Sequence, residues 1–165
     1  SVESEPGAGT TFNVYLPCVE EAPEEIPVKE AVLHPSRAAE TVLVVEDEEI
    51  VRNMATEFLN MLGYTVLSIG DPEDALRLVE NHSGPIDLLL TDVILPKMDG
   101  RTLSQRILDR RPQVRVLYVS GYTEDAIVHH GVLDSGIHFL QKPFGMEALA
   151  QKVREVLDSK QEGNA

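Results

Sequence analysis

The chain of 165 residues is poor in several residue types, and each shortage excludes a class of protein. Its single cysteine, Cys18, excludes a disulfide framework and a zinc site built on cysteines. Tryptophan is absent, and aromatic residues make up only 5% of the chain. Basic residues number 14 against 28 acidic ones, and the net charge of -14 argues against binding to nucleic acid or to an anionic membrane. No apolar run is long enough to span a bilayer, and no signal peptide is visible.

The composition of the chain divides it into four segments. Residues 1–17 contain one stretch, Thr10–Leu16, that alternates like a strand and follows Gly7-Ala8-Gly9. Residues 18–40 are rich in proline and glutamate, which bury too little apolar surface to offset the entropy of ordering, and so predict an acidic linker. Residues 41–159 have the periodic apolar pattern of one folded domain, and residues 160–165 predict a disordered tail. The chain begins at Ser1 without an initiator methionine, so we expect a fragment of a longer protein. Because no spanning run or signal peptide is visible, we expect this fragment to be cytoplasmic.

Short apolar runs alternate with amphipathic segments throughout the predicted domain. The runs predict five strands: Thr41–Val45, Thr65–Ile69, Ile86–Asp92, Val114–Val119 and Ile137–Leu140. The amphipathic segments predict five helices: an apolar stripe from Ile50 to Leu62, a helix capped by Asp71-Pro72, one over about Arg101–Asp109, one over Glu124–His130, and one through Met146–Leu157. Such alternation favours a doubly wound parallel sheet with right-handed crossovers and helices on both faces. With strand order 2-1-3-4-5, the first and third strands flank the switch point, where such sheets place their chemistry.

Functional side chains follow four of these strands. Glu46 and Asp47 follow the first, Asp92 ends the third, Ser120 follows the fourth and Lys142 follows the fifth. Three carboxylates in one crevice repel each other, and burial would raise their pKa values unless a cation intervenes. Oxygen ligands favour a hard ion, so the pattern predicts Mg²⁺, with Mn²⁺ as the alternative.

These residues lie in motifs that resemble a response-regulator receiver domain, the phosphoacceptor module of two-component signalling. The motifs span the predicted domain: Val44-Val45-Glu46-Asp47-Glu48, Leu90-Thr91-Asp92-Val93, Pro96-Lys97-Met98-Asp99-Gly100, Val119-Ser120-Gly121 and Phe139-Leu140-Gln141-Lys142-Pro143. The resemblance implies a flavodoxin-like, CheY-like (βα)5 fold, here with a mostly disordered N-terminal extension. It further implies a domain that catalyses only its own phosphotransfer and dephosphorylation.

The same resemblance assigns roles to individual residues. Asp92 would accept a phosphoryl group from a phosphohistidine, and Lys142 would pair with the phosphoryl oxygens. Asp47, Asp92 and the backbone carbonyl of Ile94 would bind Mg²⁺, with Glu46 acting mainly through water. Lys142-Pro143 would be a cis peptide. Ser120 would move toward the phosphoryl group, and Phe139 would change rotamer with it.

The N-terminal segment resembles the last glycine box and final strand of a histidine-kinase ATP-binding domain. The residues that carry this resemblance are Ser4-Glu5-Pro6-Gly7-Ala8-Gly9-Thr10-Thr11-Phe12, with Leu16-Pro17 after them. The order of the segments is that of a hybrid histidine kinase, whose membrane anchor would lie in a region not present here. The remnant strand, without its sheet, is expected to be disordered or to pack locally. The implied partners are the phosphohistidine domain of the parent kinase and a histidine-phosphotransfer protein, with the fragment a monomer or a weak dimer.

Two other functions compete with this interpretation. A haloacid-dehalogenase-type phosphatase also uses a strand-end aspartate with Mg²⁺, but it needs a second aspartate two residues later, where this chain has Ile94. A docking receiver that is never phosphorylated is the other alternative, and the intact Asp47, Asp92, Ser120 and Lys142 count against it. The bulky residues Ile94 and Tyr122 lack a group that orients water, which predicts slow hydrolysis of the phosphoryl group.

Overall fold

The structure, a computed structural model, describes residues 1–15, 40–121 and 137–159. The chain divides into two compact units, Ser1–Ala31 and Val32–Ala165, and each is described by itself. Within the described ranges, no helix has both the length and the apolar character needed to cross a membrane.

Several sequence predictions fall outside these described ranges. They are most of the acidic linker at residues 18–40, the helix at Glu124–His130, Tyr122, and the tail at residues 160–165.

Two short strands form an antiparallel hairpin in the first unit. Strand β1 (Val2–Glu5) pairs with strand β2 (Gly9–Phe12). Gly7 and Gly9 have φ angles of 84° and 99°, a region that glycine enters without a steric penalty, and they allow the chain to reverse. The sequence predicted the strand that contains Thr10, but not β1 as its partner. The structure pairs that strand with β1 instead of leaving it disordered, but the side chains of both strands are exposed, and β2 ends at Phe12, short of the predicted Leu16.

A parallel sheet of five strands forms the centre of the second unit. Its strands are β3 (Thr41–Val45), β4 (Thr65–Ile69), β5 (Leu88–Asp92), β6 (Arg115–Ser120) and β7 (Phe139–Gln141). Their order across the sheet is β4-β3-β5-β6-β7, and every neighbouring pair is parallel. Counted within the domain, this is the predicted order 2-1-3-4-5, so the predicted doubly wound fold is confirmed.

Four helices are described around this sheet: α1 (Glu49–Met61), α2 (Pro72–Asn81), α3 (Gly100–Leu108) and α4 (Met146–Asp158). The predicted cap of α2 is confirmed, because an Asp71 side-chain oxygen accepts hydrogen bonds from the amides of Glu73 at 2.8 Å and Asp74 at 3.3 Å. Asp99 caps α3 in the same way, accepting from the amide of Thr102 at 2.7 Å. Both caps satisfy amide groups that the first turn of a helix leaves without intrahelical partners.

The sheet buries apolar side chains on both of its faces. In β3, Val42 and Val44 point to one face and Leu43 and Val45 to the other, and all four are fully buried. The first face packs against α1 and α4, and the second packs against α2 and α3. A strand covered on both faces has a continuous apolar sequence, which is why the pattern of β3 and β5 predicted a parallel sheet.

The apolar stripe predicted for α1 is wrong at Ile50. This side chain is 78% exposed, whereas Ala55 and Leu59 on the same helix are buried in the core. Ile50 lies in the first turn of α1, directly after the loop that carries Glu46 and Asp47, where the core cluster of this face has no member.

An ion pair joins the residue before β3 to the last helix. Glu40 accepts two hydrogen bonds from the guanidinium of Arg154, at 2.7 and 2.9 Å. Arg154 also donates to Asp158 at 2.9 Å, and both carboxylates hold the pKa of the guanidinium above its ordinary value against the opposing effect of burial. Glu40, the last residue of the predicted linker, is therefore tied to α4 of the folded domain.

Candidate functional site

The predicted site residues lie at one edge of the sheet, where the carboxyl ends of the parallel strands meet. In the β3–β5 pair Val45 lies opposite Thr91, so Glu46 and Asp92 follow side by side. Strands β6 and β7 continue this edge and end at Ser120 and Gln141. The convergence that the strand order predicted is therefore confirmed.

Three carboxylates form a cluster at this edge. Glu46, Asp47 and Asp92 each offer one oxygen atom, and these atoms all lie within 4.8 Å of one another. Glu46 is buried, Asp92 is half-buried and Asp47 is exposed, so the cluster is closed on one side and open to water on the other. Such an arrangement of oxygen ligands suits a hard divalent cation that keeps some of its waters.

One oxygen of Glu46 has no hydrogen-bond partner within the described part of the chain. The residue is 5% exposed, and its Oε1 atom is buried without a donor. Burial raises the pKa of the Glu46 carboxyl, and the hydrogen bond from Lys142 lowers it by less. An unpartnered buried carboxylate oxygen beside two other carboxylates fits a bound cation, which would supply the missing positive charge.

The ammonium group of Lys142 bridges two of the three carboxylates. Its Nζ atom lies 2.6 Å from Glu46 Oε2 and 2.7 Å from Asp92 Oδ2. Burial acts to lower the pKa of Lys142, but the hydrogen bonds to Asp92 and Glu46 outweigh this effect and raise it. The hydrogen bonds decide the direction for the pKa of Lys142 because its ammonium faces two carboxylates. Burial decides it for the pKa of Glu46 because this carboxylate shares a single ammonium with Asp92. Lys142 therefore stays charged, and it places a cation directly on the predicted phosphoacceptor.

The backbone around Lys142 fixes this position. The Lys142 amide donates to the carbonyl oxygen of Ser120 at 2.7 Å, which continues the β6–β7 pairing beyond the last strand residue. The Lys142–Pro143 peptide bond is cis, as predicted. The lysine is thus placed by the sheet itself.

The carboxylate of Asp92 is also held by the loop that follows it. The backbone amide of Ile94 donates to Asp92 Oδ1 at 2.9 Å, while Oδ2 receives the bond from Lys142. The Ile94 side chain is 58% exposed and so borders the open side of the cluster. The metal contact through the Ile94 carbonyl stays a prediction.

Gly100 allows this loop to fold back onto the strand that carries Asp92. Its amide donates to the carbonyl of Val93 at 2.9 Å. A Cβ atom added at Gly100 would lie 2.1 Å from the backbone oxygen of Asp92, which no side chain can occupy. The sequence motif that ends at Asp99-Gly100 lies at the start of α3, and the structure adds this steric requirement for Gly100.

The predicted switch residues lie on the side of β5 away from β3: Ser120 ends β6, the strand next to that of Asp92, and Phe139 begins β7, one strand further across. Ser120 is 1% exposed at the end of β6. Phe139 is half-buried and packs in a small cluster with Val93 and Tyr118. The hydroxyl of Tyr118 lies 2.6 Å from that of Ser104 on α3, a pair that the sequence did not single out. The movement of Ser120 and Phe139 stays a prediction.

A second ion pair joins two loops on this side of the sheet. Lys97 has a φ of 69°, which is uncommon for a residue with a side chain, and its Nζ lies 2.6 Å from Asp71 Oδ2. Lys97 follows β5, and Asp71 follows β4. The bond raises the pKa of Lys97 and lowers that of Asp71. No sequence pattern indicated this pairing, because the two residues are 26 positions apart.

Comparison with known proteins identifies the domain. The family described as "Response regulator receiver domain" matches residues 42–154. Sensor kinase CckA of Brucella abortus (strain 2308) is 36% identical over 163 residues, which cover 94% of this chain and 17% of that protein. The response regulator receiver protein CpdR of the same organism is 26% identical over 116 residues, which cover 70% of this chain and 95% of that protein.

The solved structures agree with the sequence comparison. The crystal structure of the receiver domain from the hybrid histidine kinase CckA is 38% identical, with a TM-score of 0.60, and the match covers 71% of this chain and 98% of that one. The chain therefore spans nearly all of a solved receiver domain but only a minor share of the sensor kinase CckA.

Proposed function

Because the chain belongs to the response regulator receiver family, we propose that it is a phosphoacceptor in which Asp92 takes a phosphoryl group from a phosphohistidine. The observation that carries the proposal is the bridge from Lys142 Nζ to both Asp92 and Glu46, at 2.7 and 2.6 Å. A single aspartate at the end of a strand is compatible with many functions. An aspartate held by a charged lysine within a cluster of two further carboxylates is arranged to accept an anion once a cation is bound.

The reaction transfers a phosphoryl group and needs no oxidant or reductant. One carboxylate oxygen of Asp92 forms a bond to phosphorus, while the bond between phosphorus and the imidazole nitrogen of the donor breaks. The bonding electron pair returns to that nitrogen, so the products are an acyl phosphate and a free histidine. The protein contributes mainly position and charge, because phosphoryl transfer depends on both more than on covalent catalysis.

Mg²⁺ would be held by the carboxylates of Asp47 and Asp92 and by the backbone carbonyl of Ile94, with Glu46 acting mainly through water. When bound, the cation supplies positive charge at the phosphoryl oxygens. Three carboxylates, one ammonium and one dication sum to zero charge, so an incoming phosphoryl group makes the site anionic again. Lys142 is placed to pair with that group, and Ser120 carries a side-chain donor at the end of the adjoining strand.

Phosphorylation would act on Ser120 and Phe139 as a charge event at the edge of the sheet. A phosphoryl group on Asp92 competes for the ammonium of Lys142, whose backbone is bonded to Ser120. Phe139 packs with Val93, the residue directly after Asp92. The site and the predicted switch residues are therefore joined by direct contacts, through which a local charge can bias two arrangements of the domain.

We further propose that the parent protein is a hybrid histidine kinase. The alignment with sensor kinase CckA covers 94% of this chain, so it extends beyond the receiver match at residues 42–154 into the N-terminal part. The donor would then be the phosphohistidine of the parent kinase, and the acceptor from Asp92 a histidine-phosphotransfer protein.

The test is phosphorylation by a small donor. The full chain is incubated with Mg²⁺ and acetyl phosphate, and intact mass is measured for wild type, Asp92→Asn and the matched control Asp109→Asn, which changes an exposed aspartate at the end of α3. We expect a gain of one phosphoryl group in wild type and in the control, and none in Asp92→Asn. A gain that persists in Asp92→Asn, or that does not require Mg²⁺, contradicts the proposal.

A further inference from the structure

An arginine on α1 holds the loop that carries two of the clustered acids. The Nη1 atom of Arg52 lies 2.7 Å from the carbonyl oxygen of Glu46 and 3.2 Å from that of Asp47, and it donates to both. A charged donor makes these hydrogen bonds stronger than those between neutral groups. The guanidinium binds the backbone of the two residues and leaves their carboxylates free to act elsewhere.

Arg52 is itself held on a rigid element. Its amide donates to the carbonyl of Glu48 at 2.9 Å in the first turn of α1. Its own carbonyl accepts from Thr56 Oγ1 at 2.7 Å, and that hydroxyl lies 3.1 Å from the hydroxyl of Ser68 on β4. The side chain therefore extends from a helix that is joined to the sheet, so the loop it contacts is fixed relative to the strands.

Gly70, directly after β4, makes room for the guanidinium. A Cβ atom added at Gly70 would lie 2.9 Å from Nη1 and 3.3 Å from Cζ of Arg52. Gly70 is not among the described glycines with positive φ, so its backbone conformation is open to alanine. The missing Cβ matters here because it leaves the space that the arginine head group occupies. Alanine at this position would displace the guanidinium while keeping its charge.

We propose that Arg52 is a positioning residue of the metal site. Its side chain fixes the Glu46–Asp47 backbone so that both carboxylates point to Asp92, and Gly70 leaves the space in which its guanidinium lies. The inference rests on the proposed function, in which these carboxylates hold Mg²⁺. The direction of the change in Mg²⁺ affinity distinguishes a role in positioning the ligands from an effect of the positive charge. A guanidinium near a dication repels it, so loss of the positive charge alone would tighten Mg²⁺ binding. Loss of positioning would weaken it.

The experiment is a Mg²⁺ titration of the full chain, followed by backbone amide chemical shifts and by calorimetry. Contacts that orient metal ligands typically change affinity by about 10- to 100-fold, so we expect Arg52→Gln to bind Mg²⁺ about tenfold more weakly than wild type. Gly70→Ala, which retains the charge, should also bind more weakly. Arg77→Gln is the matched control, because it removes an exposed arginine that pairs with Asp74 on α2, and its affinity should equal that of wild type.

Three results would overturn the proposal. Tighter Mg²⁺ binding by Arg52→Gln would assign the effect to charge, and unchanged affinity with a lower melting temperature would make the arginine a structural residue only. If Arg52→Gln does not fold, Gly70→Ala decides alone, and unchanged affinity there overturns the proposal. If wild type binds Mg²⁺ and the variants bind it equally well, only the role of Arg52 is refuted. Wild type that fails to bind Mg²⁺ refutes the proposed function as well.

Discussion

Replacement of Lys142 by methionine should destabilise the metal-free domain by an amount that depends on burial and not on the bond lengths alone. At 2.6 and 2.7 Å, each carboxylate attracts the ammonium by about 6 kcal/mol at an effective dielectric constant of about 20. Desolvation of the ammonium offsets much of this attraction. The variant therefore loses less stability than the summed attraction, but its two carboxylates remain without their counter-ion.

The size of the loss depends on burial. The side chains of Lys142, Glu46 and Asp92 are only 16%, 6% and 13% exposed. Removal of one partner from a fully buried ion pair costs about 3–5 kcal/mol, and the open side of this cluster reduces the figure, so we expect about 2–3 kcal/mol. At about 4 °C per kcal/mol for a domain of this size, the melting temperature should fall by about 8–12 °C.

Lys97→Met is the matched control for this measurement. Lys97 also forms an ion pair at 2.6 Å, with Asp71, but the two side chains are 60% and 29% exposed. Water screens exposed pairs, so the control should lose much less stability than Lys142→Met. The assay is urea and thermal unfolding in metal-free buffer and again with Mg²⁺, which should reduce the deficit of Lys142→Met because the dication offsets the same repulsion. Equal losses for the two variants, within about 0.5 kcal/mol, would refute the reasoning from burial.

Three further predictions concern single residues of the site. The folded pKa of Glu46 lies above its ordinary value, so ionised Glu46 opposes folding; Glu46→Gln should raise metal-free stability at pH 7, and the gain measured by urea unfolding should vanish as the pH falls through that folded pKa. A gain that persists below pH 4 would contradict this cause. Gly100→Ala should cost about 2 kcal/mol or more and slow phosphorylation, because its Cβ overlaps the Asp92 carbonyl. At Gly121 no atom of the described residues lies within 4 Å of an added Cβ, so Gly121→Ala should not cause a comparable loss of stability. Ile94→Asn should shorten the lifetime of the phosphoryl group followed by intact mass, since an amide would orient water on the exposed side of the cluster; an unchanged decay rate would contradict the prediction of slow hydrolysis.

The convergence of the site could be predicted because it follows from strand order alone. Asp92 and Lys142 are 50 positions apart, yet Asp92 ends one parallel strand and Lys142 directly follows another, and all such ends lie at one edge of the sheet. The apolar runs of β3 and β5 were long enough to mark strands covered on both faces, so Glu46 and Asp92 could be placed at neighbouring ends before any coordinates were known.

The supporting contacts could not be predicted, because they depend on close approach between loops. Gly70 and Gly100 look like ordinary turn glycines in the sequence, and only the positions of the Arg52 guanidinium and the Asp92 carbonyl explain them. The pairing of Lys97 with Asp71 likewise requires two loops to meet. Ile50 was misplaced for a related reason, since helical periodicity cannot tell where the sheet stops covering a helix.

Two cations of the site therefore act on different parts of the same acidic cluster. Lys142 contacts the carboxylates of Glu46 and Asp92, so it neutralises charge and competes with a metal for the same oxygens. Arg52 contacts the carbonyls of Glu46 and Asp47, so it orders the backbone without neutralising either carboxylate. Loss of Lys142 should consequently favour Mg²⁺ on charge grounds, while loss of Arg52 should disfavour it on geometric grounds. The two substitutions each remove one positive charge. Opposite changes in Mg²⁺ affinity would therefore distinguish the effect of ligand position from the effect of charge.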